Sequence, residues 1–525
     1  MVFKNKTIAL FFGRSVRRWA LEALLISPRC AIRFWHGCLK IYYECRGIRL
    51  DLIFKELLWM FPLFNTLYFI SIYVQSLSEQ LKLLNEGRGL SKTQICWLGF
   101  VLSGIIVSNT ICWAIFERIS NKKHKSAKLI GMFRRAKLPW DKLMLVSIKL
   151  VLARYGLTEG VLLLDDSDKN RSKNVRKIHA AHKVKDKATG GYSIAQNIMF
   201  LVLVTDKVTI PLGFAFYEPD PEWVKWRAKD KQLKKQKVPK SERPKEPKKN
   251  HKNKRELAVG LVKEFVSNFP AFKIRSVCAD CFFGNKKFAD GIKAICKTQI
   301  ISQIRSNQIV YIRGKPLSVN DLFKRYPGIP ETINCRGEDK NVIMYGMRIK
   351  VKAYGHKLFV IALKYEGEED YRFITATDLS WRAIDIVSAY TLRWLVEVFI
   401  QDWKGHMGFD RLAIQQGDDG SRRGLILSLL VDHSLFFHED QSALIDAKLQ
   451  AGTVGSLTNR IKVEAFLDSV KELIYSDNPK EAYEKISKDL MGIYELRSSK
   501  KHMVNLDMSQ YEGKPHLAAQ FRNVA

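Results

Sequence analysis

The sequence predicts an α/β fold: a mixed sheet covered by helices, interrupted by a β-rich segment and flanked by helical N-terminal and C-terminal regions. Three observations predict it. Short apolar runs alternate with helical patterns over residues 156–305. A dense series of strand-like segments follows from Ser306 to Thr377. A long amphipathic helix then opens near Ser380 and runs to about His406.

The bulk numbers frame these elements. The chain has 525 residues, enough for two to four domains. Lys and Arg number 87 against 53 Asp and Glu, a net charge of +34. That surplus calls for a polyanionic partner, either nucleic acid or an anionic membrane surface. Nine scattered cysteines and no recognisable signal peptide fit a reducing cytosol.

Residues 1–90 form a basic, aromatic and apolar extension to which the sequence assigns no role. Residues 91–155 read as a helical DNA-binding region. Ser91–Gln94 resembles a capping box ahead of an apolar run. Asn121–Trp140 holds seven cations and no acid, which favours phosphate contact as much as a solvated helix face. Leu57–Val74 and Ile95–Phe116 are about long enough to span a bilayer. Polar interruptions such as Asn65, Ser103 and Asn109 favour buried helices over membrane spans.

Gly160–Leu164 (GVLLL) reads as a buried strand ending in Asp165 and Asp166. Ala195–Thr205 and Val208–Tyr217 read as further strands, joined by a turn at Thr205–Lys207. Residues 220–255 are rich in Lys and Pro and nearly free of aliphatics, so the expectation is a flexible insertion. A helix over Glu256–Asn268, a strand over Ile274–Ala279 ending at Asp280, a helix over Asn285–Cys296 and a strand over Gln299–Arg305 complete the block. In the β-rich segment the strands fall at Val342–Tyr345, Met347–Ala353, Leu358–Leu363 and Arg372–Thr375. Ser380 is placed to cap the long helix, and residues 411–525 read as a helical C-terminal region.

That long helix carries the chemistry. With Tyr390 at zero, Arg393, Glu397 and Lys404 fall at about 300°, 340° and 320°, one narrow stripe. Leu392, Leu395, Val396, Phe399 and Trp403 lie nearly opposite. An exposed salt-bridged stripe would look alike, but this mix suits a carboxylate that holds a metal among groups that hold phosphate. Phosphodiester hydrolysis with two divalent ions needs carboxylates converging from separate elements. Asp166, Asp280 and Glu397 are the candidates, with Asp165 as the alternative to Asp166 and Asp168 behind it.

YTLRWLVEVFIQDWK (Tyr390–Lys404) resembles the Tyr-x2-Arg-x3-Glu-x6-Lys signature of bacterial insertion-sequence transposases that use a DDE triad. DDS (Asp165–Ser167) and ADCFFGN (Ala279–Asn285) resemble the two aspartate motifs of that family. The likeness spans about residues 90–440. It implies a ribonuclease-H-like catalytic core, residues 156–305 and 378–410, interrupted by a β-rich insertion domain, residues 306–377. It implies two Mg²⁺ or Mn²⁺ ions on Asp166, Asp280 and Glu397, and DNA phosphate gripped by Tyr390, Arg393 and Lys404. It further implies double-stranded DNA substrates, a homodimer on paired transposon ends, cut-and-paste transposition and a bacterial cytoplasmic, nucleoid-associated location. Gln401 stands where some relatives carry another Lys. The rival readings are a non-catalytic DNA-binding descendant of a transposase and, more remotely, a membrane protein.

Smaller signals have bland readings. Cys278 and Cys281 bracket Asp280 but lack a second ligand pair, so packed thiols are expected rather than zinc. His179 and His182 sit in a basic loop or hairpin facing DNA, and Trp223 and Trp226 either stack on bases or anchor the basic insertion.

Overall fold

The computed structural model describes residues 66–120, 124–171, 178–185, 190–248, 250–335, 337–409 and 417–493. The extension before residue 66, the first part of the apolar run at Leu57–Val74 and the polar end of the chain lie outside the described residues. The chain forms two compact units, 1–469 and 470–525.

Five helices are described before the first strand: α1 (Tyr68–Leu84), α2 (Lys92–Ser108), α3 (Trp113–Ile119), α4 (Ser126–Arg135) and α5 (Trp140–Arg154). The expected capping box starts α2: Ser91 Oγ accepts from the Gln94 N–H and the Gln94 side chain accepts from the Ser91 N–H. Such a cap contributes about 1 kcal/mol. Trp97, on α2, packs against both Trp113 and Trp140. Residues Trp97–Ile106 are buried inside the protein. Among the described residues no single helix is long and apolar enough to cross a membrane; α2 and α3 pass that test only as a pair bent by 93°.

The first sheet strands are β1 (Glu159–Arg171), β2 (His182–Lys185), β3 (Tyr192–Val204) and β4 (Thr209–Tyr217), followed by α6 (Pro221–Lys235), α7 (Lys254–Asn268), β5 (Lys273–Ala279), α8 (Lys286–Ile295) and β6 (Gln299–Ile304). Strands β4, β3 and β1 are antiparallel neighbours, and β1, β5 and β6 run parallel. The expected turn closes the β3–β4 hairpin, with the Thr205 N–H donating to Val208 O.

The β-rich segment contains β7 (Ile309–Ile312), β8 (Lys315–Ser318), α9 (Val319–Arg325), β9 (Ile329–Cys335), β10 (Glu338–Val351), β11 (Lys357–Tyr365) and β12 (Arg372–Ala376). It is not a detached layer. Strand β12 pairs antiparallel with β6 on one side and with β11 on the other, so the core sheet continues into the insertion.

Two expectations are corrected here. The Lys/Pro-rich stretch is not wholly irregular: α6 forms because Asp220 caps it, Pro221 occupies its first turn and Lys234 pairs with Asp230. Trp223 Nε1 donates to Glu246 and Trp226 Nε1 to Pro244 O, so both indoles anchor this segment. The long helix is two helices, α10 (Ala383–Thr391) and α11 (Trp394–His406). The break lies at Leu392–Arg393, where the N–H groups of Arg393, Leu395 and Val396 bond three residues back instead of four. Ser380 does not cap it; its N–H and hydroxyl bond Asp378, and Arg382 is the cap residue.

The remaining helices are α12 (Gly417–Leu435), α13 (Glu439–Asp446), α14 (Val454–Ile474) and, within the second unit, α15 (Pro479–Ile493). A buried polar chain ties the N-terminal helices to the sheet. His433 Nε2 lies 2.8 Å from Pro211 O, which can only accept. Burial pushes this imidazole down to about 4, so it is neutral and its Nδ1 accepts from Ser147 Oγ at 2.6 Å. Ser147 in turn accepts from the Tyr73 hydroxyl at 2.6 Å. Four elements, α1, α5, α12 and β4, thus share one line of hydrogen bonds. Ser147→Ala strands two buried polar groups and is expected to cost about 2 kcal/mol or more in urea unfolding; a loss below about 0.5 kcal/mol would show that the chain is dispensable.

Candidate active site

The apolar run Leu162–Leu164 of β1 is fully buried, without the alternation of a strand that has one solvent face. Its pairing with β5 ends at Leu164↔Ala279. Asp165 and Asp280 follow this last pair, so two carboxylates emerge side by side where β5 ends; against the sequence expectation, β1 does not end there but runs on to Arg171, held by β3. Ligand sites of open α/β sheets form at the carboxyl ends of strands.

Strand alternation then separates Asp165 from Asp166. Asp165 pairs with Phe200 on β3, and directly paired residues share a face. The Phe200 ring contacts Phe399 and Trp403 of α11 at centroid distances of 5.6 and 4.8 Å. Asp165 therefore faces α11. Arg393 completes the link: its Nη1 lies 3.3 Å from Asp165 Oδ2 and its Nη2 2.6 Å from Glu397 Oε1. Asp166 turns to the other face. Its Oδ2 accepts from Lys254 Nζ at 2.7 Å and from Asn197 Nδ2 at 2.5 Å, and Asn197 also bonds Asp168.

The apolar stripe behaves as its spacing predicts despite the helix break. Val396, Phe399 and Trp403 are buried, and Leu392 and Leu395 pack partly against the same core. On the other side, the Arg393 guanidinium lies 6.0 Å from the Tyr390 ring centroid, and the Tyr390 hydroxyl donates to Gln303 Oε1 at 3.5 Å. Lys404 is two turns on and donates to Asp168 O at 3.0 Å.

Electrostatics mark the acids. Burial pushes the Asp165 carboxyl up to about 7; the Asp166 N–H and Arg393 oppose this, while the charges of Asp280 and Asp166 add to it. Burial also raises Asp280, helped by Asp166 and opposed by the Phe282 N–H. Burial pushes the Tyr390 phenol up to about 12.

The second acidic motif has its own local logic. Phe282 N–H donates to Asp280 Oδ1 at 2.9 Å, closing a tight turn. A Cβ at Gly284 would collide with Gln303 O, so only glycine lets this turn lie against β6. Asn285 then caps α8. Cys278 is buried between Ser276 and Ala389 O, a packed thiol as expected.

Carboxylate oxygens are the ligand type that a hard divalent cation takes. The Arg393 guanidinium bridges Asp165 and Glu397 through different nitrogens, so both carboxylates already accept positive charge. Among the described residues, the only three His, Cys, Asp or Glu groups with ligand atoms within 4.8 Å of one another are His438, Asp440 and Glu464. There Arg460 bonds Asp440 at 2.8 Å and Glu464 at 3.0 Å, so a side-chain cation serves that cluster.

Sequence reasoning missed Asn197, Lys254 and Arg255. Lys254 and Arg255 were submerged in the Lys-rich run, yet they sit in the first turn of α7, where the helix dipole disfavours cations. That mismatch was the available signal.

Comparison with known proteins adds one finding. A family model described as the transposase DDE domain matches residues 238–431, which include Asp280, Tyr390, Arg393, Glu397 and Lys404 and begin after Asp165. The match supports an insertion-sequence DDE transposase. No curated protein matches the chain.

The raised Asp165 carboxyl gives a pH prediction. Between about pH 4 and 7 the folded, metal-free protein holds a proton that the unfolded chain has released, so stability falls as pH rises through that window. Urea unfolding in EDTA at about pH 5 and pH 7.5 is expected to show a smaller fall for Asp165→Asn than for wild type. Identical falls would place Asp165 in a solvated environment.

Proposed function

We propose that this protein is a metal-dependent transposase that cleaves phosphodiesters at the ends of an insertion sequence and joins the freed 3′-hydroxyl to target DNA. The carrying observation is the Arg393 bridge between Asp165 and Glu397, beside Asp280 where the β1–β5 pairing ends. The strand order β4–β3–β1–β5–β6, with the first three antiparallel and the last three parallel, supports a ribonuclease-H-like core. Double-stranded DNA as substrate agrees with the net charge of +34 and with the family match.

The reading assigns the triad to Asp165, Asp280 and Glu397. Asp165 replaces the Asp166 of the sequence expectation because only Asp165 shares the face of Glu397. Mg²⁺ or Mn²⁺ held there supplies activation of the attacking hydroxyl and stabilisation of the leaving oxygen. Arg393, once freed from the carboxylates, presents its fork to a phosphate oxygen. Lys404 and the Tyr390 hydroxyl extend that grip along the strand. Asp166 holds Lys254 at the edge of the site. Paired ends bound by a homodimer, the signature subfamily and a cytoplasmic, nucleoid-associated location complete the proposal and rest on the sequence resemblance.

The test is Mg²⁺-dependent cleavage of DNA carrying the element's terminal repeats. Asp165→Asn, Asp280→Asn and Glu397→Gln are each expected to lower the rate by about a thousandfold, the several kcal/mol that metal-centred charge stabilisation supplies. Asp166→Asn is expected to lose at most about tenfold, the scale of an outer-shell change. Full cleavage by Glu397→Gln would overturn the site. Equal losses at positions 165 and 166 would overturn the choice between them.

A further inference from the structure

A second feature adjoins the acids. A cleft of about 470 Å³ is lined by Cys281, Gln303, Arg305, Ser306, Asn307 and Arg372, together with neighbouring apolar and aromatic groups. Its floor is continuous with the candidate site, since Cys281 follows Asp280 and Gln303 receives the Tyr390 hydroxyl. Its lining residues offer two guanidiniums, two hydroxyls and two amides, and include no Asp or Glu.

More cations gather at its rim. Arg255 donates twice to Phe282 O, at 2.9 and 2.6 Å, and stands over the Phe282 ring at 4.4 Å. Lys364 stands over the Tyr371 ring at 5.2 Å. Arg372 is oriented by Glu368 and by the Tyr365 ring. Burial lowers Arg255, Asp280 and then Tyr354 oppose this, and the Arg305 charge adds the smallest contribution, which places the two guanidiniums within electrostatic reach of each other. Like charges converging on a polar cleft cost energy unless an anion joins them. Forked guanidiniums with a hydroxyl beside them match phosphate oxygens.

We propose that this cleft is a backbone-phosphate subsite that holds the DNA strand where it passes Asp280 toward the β-rich insertion. The proposal rests on the transposase reading for the identity of the polyanion, and on the cleft itself for the contacts. Arg305 and Arg372 each engage a phosphate; Arg255 adds positive potential from the α7 side. The proposed arginine contacts go to phosphate oxygens and so carry no base-sequence information.

The test is the salt dependence of binding to a fluorescein-labelled 20-base-pair duplex of arbitrary sequence, by anisotropy. The Arg305→Ala/Arg372→Ala double variant is expected to lower the slope of log K against log salt by about 2, close to one per lost phosphate contact. Arg305→Lys/Arg372→Lys is expected to keep most of the slope, which separates lost charge from lost structure. An unchanged slope in the alanine variant overturns the proposal, as does an equal loss in the lysine variant. Millimolar inorganic phosphate at constant ionic strength is expected to leave binding unchanged; specific displacement would identify a free-anion pocket and overturn the DNA assignment. The cleavage assay with Glu397→Gln reads the acids alone, so failure there and failure here are distinct results.

Discussion

The arrangement depends on how buried negative charge is compensated where the pairing of β1 with β5 ends. Three aspartates, Asp165, Asp166 and Asp280, meet where the β1–β5 pairing stops. Unpaired carboxylates in such a place are costly, so each must find a cation or keep its proton. Arg393 serves Asp165 and Glu397, and Lys254 serves Asp166. Asp165 and Asp280 still sit high, chiefly because burial penalises their charged forms and secondarily because carboxylates lie near carboxylates. A site with surplus, preorganised carboxylate oxygens is one that gains from a divalent ion.

The helix break at Leu392–Arg393 follows from the same requirement. In one straight helix Tyr390, Arg393 and Glu397 would form an exposed stripe. Tightening the backbone there lets α11 lay Phe399 and Trp403 on Phe200 while Arg393 reaches down to Asp165. The packing of two aromatic rings thereby fixes the position of a guanidinium. Each aromatic pair contributes about 0.5–1.5 kcal/mol beyond its burial, comparable to the bend it has to stabilise.

Much of this was legible in the sequence, for identifiable reasons. The stripe of Tyr390, Arg393, Glu397 and Lys404 was visible because its apolar opposite face is nearly complete. The capping box at Ser91 and the turn at Thr205 were visible because local hydrogen bonding alone determines them. The choice between Asp165 and Asp166 was hidden. GVLLL is buried on both faces, so no alternation reveals which way each following side chain points. Helix α6 was hidden because composition averages over Asp220, Pro221 and the two anchored indoles that make it. The cleft was hidden because Arg305 and Arg372 lie far apart in sequence and meet only through the β6–β12 pairing.

That pairing carries a mechanical consequence. Because β12 joins β6 on the core side and β11 on the insertion side, the β-rich segment cannot tilt as a separate body without breaking ladder hydrogen bonds. Arg372 begins β12, and Arg305 follows β6. Their spacing from Asp280 is then set by strand register, as that of Asp165 is. A strand of DNA gripped by these arginines would be measured against the acids by the sheet itself. Under the proposed function the insertion thereby extends the floor of the acidic site, and its cations stand at a distance from Asp280 that the sheet sets.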